Sequence, residues 1–474
     1  MSLSFPKDFL FGFSESGFQF EMGLPNSEDP NSDWWVWVHD QENIFAEVVS
    51  GDLPEDGPAY WKLYKQDHDL ACNLSMDVAR LCVEWSRIFP TPTFDVKAHF
   101  NKDKEGNIVS LDLNDKVMEE MDKRANKEAV KHYRNIFEDW KGRGKKLMLN
   151  LYHFSLPLWI HDPLKVRKMG IGKAPSGWLN DKTVIEFAKY SAYIAWKFNE
   201  LIDIWSTMNE PNIVYLNGYL NVKSGFPPGY LSLEALNKAA KNLIEAHARA
   251  YDAIKVFSKK PVGLIYATAA IEPIKTEFSE LAEKANNFHN YMFLDSLYGG
   301  KSSLVGNRKD LERHLDWIGV NYYSRYVVES ALTFNGYKFS EGYGFKCQPK
   351  GISKFRRPCS DFGWEIYPEG LYTILSSYWN RYKIPIIVTE NGIADSEDKL
   401  RAKFLAAHLY QIYKAIKNGV NVNGYLHWAL TDNYEWAQGF KMKFGLIYVD
   451  YTSKKRYLRP SALIFREIAT KKEI

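Results

Sequence analysis

Short apolar runs rich in β-branched and aromatic residues alternate along this chain with longer stretches whose apolar residues recur every three or four positions. The first pattern suits buried strands and the second suits helices with one buried face. Eight runs read as strands: residues 9–13, 78–84, 147–153, 202–208, 262–267, 317–323, 384–389 and 424–428. Between them Val184, Phe187, Ser191, Ile194 and Phe198 fall on one helical face, as do Leu236, Ala240, Leu243, His247 and Tyr251, and again Phe404, Leu405, His408, Leu409 and Ile412. Residues 61–76 read as a helix after the first strand, and Pro460 suits the first turn of a last helix running through Arg466. Eight strands alternating with helices predict an α/β protein whose parallel sheet closes into a (β/α)8 TIM barrel.

Two segments follow neither period. Residues 91–129 are rich in Lys, Asp and Glu, and residues 331–361 in Gly, Lys and aromatics. Neither carries enough apolar residues for a core of its own, so both are expected to be insertions in βα loops. A linker between domains is the rival reading, but no Pro/Gly/Ser-rich hinge, low-complexity tract or internal repeat accompanies them. Residues 1–474 are therefore expected to form one elaborated barrel, a length that such barrels reach as single domains.

Charge narrows the partners. With 61 Lys and Arg against 58 Asp and Glu, the net charge of +3 is that of an ordinary surface, which disfavours nucleic acid and acidic membranes as partners. No run approaches the ~18 uncharged apolar residues of a membrane helix. The start, Met1 to Pro6, has neither a basic segment nor a cleavage site, so no export signal is expected and a cytoplasmic location is. Cys72, Cys82, Cys347 and Cys359 form no C-x-x-C pair and lack the density of a disulfide scaffold, which fits a reducing compartment. Aromatic residues make up 15% of the chain, enough for either a large core or stacking surfaces for a ligand.

Barrel enzymes carry their chemistry at the C-terminal ends of the strands. Here those ends offer Gln19 and Glu21 after the first run, Arg80 in the second, His153 at the third and Asn209-Glu210-Pro211 at the fourth. The sixth ends in Asn321-Tyr322-Tyr323, the seventh in Glu390-Asn391-Gly392, and the eighth in Trp428, followed by Asp432 to Trp436. The fifth offers only Tyr266, for which core packing is the better expectation. Glu210 and Glu390 each close an apolar run, where a charge is costly without a partner or a purpose. Strands four and seven face each other across a closed barrel, and glycoside cleavage needs two carboxyl groups so placed, one to protonate the leaving oxygen and one to act at the anomeric carbon or on water. A salt-bridged strand-end residue explains either glutamate alone, but poorly explains both.

The stretch Phe9 to Glu21 resembles the N-terminal signature of family one of the glycoside hydrolases, the β-glucosidase and β-galactosidase family. Thr207-Met208-Asn209-Glu210-Pro211 is similar to its acid/base motif and Ile387-Val388-Thr389-Glu390-Asn391-Gly392 to its nucleophile motif. Gly319 to Tyr323, Trp364 to Gly370 and Trp428 to Trp436 match in the same order. Within the family, Trp85 to Pro90, Lys223 to Gly229 and Asp29-Pro30-Asn31 look most like the thermophilic archaeal β-glycosidases.

The resemblance implies a retaining exo-β-glycosidase for neutral β-glucosides and β-galactosides, able to transglycosylate and needing neither cofactor nor metal. It implies Glu210 as acid/base and Glu390 as nucleophile, with carboxyl groups about 5–5.5 Å apart. Arg80 is expected beside Glu390, and Tyr323 is expected to donate to the same carboxylate. Gln19, His153, Asn209, Asn321, Trp428 and Glu435 are the expected sugar-binding residues, with Trp364 and Trp436 at the mouth; core packing is an equal rival for Trp364. A Glu435 carboxylate receiving sugar hydroxyls disfavours a 6-phosphorylated sugar, with nearby Lys441 and Lys443 as counter-evidence unless they form a solvated face. Phe154 departs from the family's Trp after the histidine and removes an indole N–H from the sugar site. The partner expected is a small-molecule or oligosaccharide β-glycoside; a homo-oligomer is left open, its number unassigned. Two other classes compete: a sugar-binding barrel without chemistry, against which both glutamates speak, and a metal-dependent barrel enzyme using Glu210, Glu390 and His153, which no H-x-H or D-x-D pair at a strand end supports.

Overall fold

The computed structural model describes residues 3–333 and 335–474. Eight parallel strands form the barrel: β1 (Leu10–Ser14), β2 (Val78–Cys82), β3 (Lys146–Asn150), β4 (Ile204–Asn209), β5 (Val262–Pro273), β6 (Trp317–Ser330), β7 (Ile386–Asn391) and β8 (Val422–His427). Each pairs with the next, and β8 pairs with β1 to close the ring. The helices that follow are α1 (Tyr60–Asn73), α2 (Lys127–Gly142), α3 (Asp181–Phe198), α4 (Leu233–Phe257), α5 (Met292–Gly299), α6 (Glu369–Tyr382), α7 (Arg401–Lys417) and α8 (Pro460–Lys471). Asn126, Asn180 and Ser232 cap the N-termini of α2, α3 and α4 with their side chains, and Pro460 opens α8. Val184, Phe187, Ile194 and Phe198 of α3 are fully buried, as the helical period requires.

The floor of the barrel follows from strand parity. Leu10, Val78, Met148, Ile204, Ile265, Trp317, Ile387 and Leu426, one from each strand, pack together inside it. A much larger apolar core lies between the barrel and its helices and includes Tyr266, which is fully buried.

Three strand ends differ most from the sequence pattern. β5 and β6 do not stop at 267 and 323 but leave the barrel as a paired ribbon, Ala270 to Pro273 against Arg325 to Val328. Apolar packing continues there, with Val328 buried on Ala282 and Ala285, and Tyr337–Phe339 adds to the ribbon as an antiparallel strand. β3 ends early, at Asn150, whose side-chain amide turns back to donate to the Tyr152 carbonyl (2.9 Å). His153 therefore stands on a loop.

Segment 91–129 contains a hairpin (His99–Lys102 with Ile108–Asp112) and a helix (Asp115–Arg124) anchored in the main core by Ile108, Met118 and Met121. Segment 331–361 holds a disulfide between Cys347 and Cys359, with Cα atoms 6.4 Å apart. This corrects the sequence reading, which saw no cysteine pairing. A separation of 12 residues matches no motif; the fold of the segment makes the pair, through Cys359 N–H donating to the Gly351 carbonyl (2.9 Å) and through Glu365, which accepts from Gly344 N–H (2.9 Å) and Ser353 Oγ (2.6 Å).

Candidate active site

Two residues above the barrel floor, strand parity returns to the interior with Arg80, Asn150, Ser206, Gly319, Thr389 and Trp428 in place of aliphatic groups. Glu390 and Asn209 stand off this parity, and irregularities in the ladders put them there. Between β6 and β7, Val320 pairs with Val388 but Asn321 pairs with Glu390. The one-residue slip turns Glu390 to the cavity while the Thr389 hydroxyl still donates to Asn321 Oδ1 (2.7 Å). Between β4 and β5, Ser206 pairs with Gly263 but Asn209 with Ile265, an equal slip.

Glu210 follows in the left-handed region, with φ 45° and ψ 56°. A non-glycine residue there costs about 1–3 kcal/mol. Pro211 starting the helix Pro211–Tyr219 and the Glu210 N–H donating to the Ile265 carbonyl (2.8 Å) hold it in place. Beyond Glu390, a Cβ on Gly392 would stand 1.8 Å from the Trp428 carbonyl oxygen, so only glycine lets the ends of β7 and β8 meet.

The electrostatics of the two carboxyl groups differ. Glu390 forms an ion pair with Arg80 Nη1 and accepts from the Tyr323 hydroxyl (2.8 Å). Burial raises its pKa above the ordinary carboxylate value, and the guanidinium and these hydrogen bonds oppose that rise. Arg80 also donates to Asn209 Oδ1 (2.8 Å) and His153 Nδ1 (3.0 Å). Burial and the Arg80 charge hold His153 neutral, its pKa well below the usual value. Glu210 has no cation of its own. It accepts from Asn321 Nδ2 (2.8 Å), and burial, reinforced by the charge of Glu390, pushes its pKa up to about 8.

Glu210 and Glu390 line a cavity of about 390 Å³ together with His153, Phe154, Asn321, Tyr323, Trp364, Trp428, Glu435 and Trp436. Arg80, Gln19 and Asn209 stand behind it. Gln19 is fully buried and donates to Asn433 Oδ1 (3.0 Å) and Glu435 Oε2 (3.2 Å), while its main-chain carbonyl oxygen accepts from Tyr434 N–H (3.1 Å). Burial pushes Glu435 up to about 8, with the Glu390 charge adding to the effect. Burial and the Glu390 charge thus hold Glu435 largely in the acid form at neutral pH, against the ionised form that the sequence suggested. Lys441 and Lys443 do not line the cavity; the Lys443 ammonium lies 4.2 Å from the centre of the Tyr451 ring.

Trp436 stacks on Phe18 (5.7 Å between centroids, 6° between planes) and packs on Trp34 and Phe154. Phe154 itself has a positive φ of 72° and presents its ring to the cavity where an indole would present an N–H. Trp364 stacks on Phe362 (4.3 Å) and meets Tyr323 (5.3 Å) while reaching the cavity wall, so it serves both packing and lining. Asn433, Lys223, Phe226, Phe345, Lys346, Phe362 and Phe444 are site residues that sequence reasoning missed. Phe345 and Lys346 lie in the aromatic, Lys-rich segment 331–361, and that composition was the available signal. Among the described residues, no group of three or more His, Cys, Asp or Glu side chains is placed to hold a metal ion, and no helix is long and apolar enough to cross a membrane.

Comparison with known proteins matches the model of "Glycosyl hydrolase family 1" over residues 1–101 and 118–474. The unmatched stretch falls inside the 91–129 insertion. The chain is 54% identical to a β-galactosidase of Saccharolobus solfataricus over 98% of its own length and 95% of that protein's. Its fold superposes on the β-glycosidase of Thermosphaera aggregans with a TM-score of 0.97 at 59% identity, covering 99% of this chain and 98% of that one. It superposes on the β-glucosidase of Pyrococcus furiosus with a TM-score of 0.95 at 57% identity, covering 99% and 97%.

Proposed function

The chain belongs to glycosyl hydrolase family 1 and is a retaining glycoside hydrolase, and from that premise we propose that Glu390 is its nucleophile and Glu210 its acid/base. The observation that carries this assignment is the asymmetry of the pair: Glu390 is clamped by Arg80 and Tyr323, whereas Glu210 faces the same cavity with its pKa pushed up to about 8. A nucleophile must be ionised and the acid protonated at the same pH, and this arrangement supplies both. Glu390 attacks the anomeric carbon while Glu210 gives its proton to the leaving oxygen, forming a glycosyl ester and the free alcohol. Esterification removes the charge of Glu390 that helped to raise Glu210. Glu210, left as a carboxylate by the first step, then stays ionised more readily and takes a proton from the water that attacks the anomeric carbon; the bond to Glu390 breaks, and the sugar is released with retained configuration.

The substrates are neutral β-glucosides and β-galactosides cleaved from the non-reducing end, with sugar acceptors replacing water at high concentration. The similar enzymes named above support this reading, as do the indole of Trp428 and the carboxyl of Glu435 in the cavity wall. Asn321, which donates to Glu210, and His153 complete the sugar site, with Trp436 and Trp364 toward the mouth. Gln19 and Asn209 act on it through Glu435 and Arg80. The 1–474 barrel works as one unit in the cytoplasm; a disulfide in such a compartment suits a hyperthermophile, where intracellular disulfides are common.

Incubation with a 2-deoxy-2-fluoro β-glucoside bearing a good leaving group tests the assignment, because the fluorine slows breakdown of the ester. Mass spectrometry of the digested protein should find the fluorosugar on the peptide containing Glu390. Attachment at Glu435 or Glu210 would overturn it.

A further inference from the structure

Beyond the catalytic pair, the cavity changes character. Phe226, Phe345, Phe362 and Trp364 give its outer wall aromatic faces, and the charged side chains there are Lys223 and Lys346. The carboxyl groups that line the cavity are Glu210, Glu390 and Glu435, all of them in the sugar and catalytic region. Lys223 sits in the turn Val222–Ser224 and makes no ion pair among the described residues. Lys346 lies 3.7 Å from Glu341, whose side chain is 78% exposed, a contact too long and too wet to neutralise it.

The floor does not cancel these charges. Arg80 neutralises Glu390, and with pKa values pushed to about 8, Glu210 and Glu435 are mostly uncharged at neutral pH. Two ammonium groups from different βα loops thus remain as uncompensated charge beside an aromatic slot.

We propose that Lys223 and Lys346 select β-glycosides whose aromatic aglycone carries a negative charge, such as a phenolic carboxylate. The inference rests on the retaining-glycosidase reading and adds the chemistry of the leaving group. Aromatic faces hold a planar ring, and cations at the rim meet an anion projecting from it. Each lysine is solvent-accessible, so the gain per contact is modest; together they should favour the anion by roughly three- to tenfold in kcat/KM at low salt.

The test compares 4-carboxyphenyl with 4-carbamoylphenyl β-D-glucoside, nearly the same in shape but different in charge. Their ratio of kcat/KM is measured for the native enzyme, for Lys223→Gln/Lys346→Gln and for Lys223→Arg/Lys346→Arg. The intrinsic difference in leaving ability is common to all three. The ratio should fall roughly three- to tenfold in the glutamine variant, persist in the arginine variant, and fall in the native enzyme at 1 M salt, where screening is nearly complete. An unchanged ratio in the glutamine variant would overturn the proposal, as would a ratio indifferent to salt. Failure of the native enzyme to cleave either glucoside would overturn the glycosidase reading itself, and this proposal with it.

Discussion

Replacing Glu210 with glutamine removes a proton while nearly conserving shape, and the position of its pKa sets the size of the effect. With a pKa pushed up to about 8, roughly nine-tenths of the side chain is protonated at pH 7, against about 0.3% for a glutamate at its ordinary value of 4.5. Burial and Glu390 therefore raise the supply of the acid form about 300-fold. For aglycones that leave only when protonated, such as simple alcohols, Glu210→Gln should lower kcat/KM by about 10²–10⁴. A 2,4-dinitrophenyl glycoside, whose phenolate leaves without help, should lose far less. The pH profile adds a second readout. The acid must be protonated, so kcat/KM of the native enzyme on a poor leaving group should be level between the acid limb set by Glu390 and this pKa, and fall about tenfold per pH unit above it. Glu435 is also pushed to about 8, so that limb alone does not name its owner. The variant does: with Glu210 gone, the limb near pH 8 should vanish. Equal losses across leaving groups, or a limb near 8 that survives in Glu210→Gln, would refute the assignment and move attention to Glu435.

Three further outcomes follow from the same geometry. Glu390→Gly should abolish turnover, and added azide should restore bond cleavage and give a glycosyl azide of inverted configuration; full activity without azide would remove Glu390 from its role. Arg80→Met leaves a buried carboxylate without its cation, so Glu390 should titrate at higher pH and the acid limb of kcat/KM should move upward; thermal unfolding should show a loss on the order of 3–5 kcal/mol. Cys347→Ser/Cys359→Ser reopens a short loop and should lower stability by up to about 3 kcal/mol, read from melting curves with and without reductant.

Much of the barrel was legible because its strands obey simple parity. The alternation that placed Val78 and Leu426 on the floor also placed Arg80 and Trp428 in the layer above it. Alternation alone did not aim Glu390, since that depends on a one-residue slip against β6 that composition does not encode. The motif Thr-Glu-Asn-Gly pointed to it instead, and the structure explains the glycine by the close approach of Trp428. The ribbon formed by β5 and β6 was hidden because its packing partners, Ala282 and Ala285, come from a helix rather than from the run itself. The ionisation of Glu435 was misread for a related reason: its pKa depends on burial and on Glu390, 45 residues away in sequence. The outer wall of the cavity was the least legible part. Phe345 and Lys346 come from a loop with no period, held by Glu365 and a disulfide within the loop itself.

The central claim is that two glutamates act in two steps through a covalent glycosyl ester, and the configuration of the first-formed sugar tests it most directly. Proton NMR of the purified protein cleaving an aryl β-glucoside, recorded before mutarotation, should show the β-anomer first and the α-anomer only as equilibrium is approached. The α-anomer appearing first would mean direct displacement by water and would contradict the assignment of Glu390 as nucleophile.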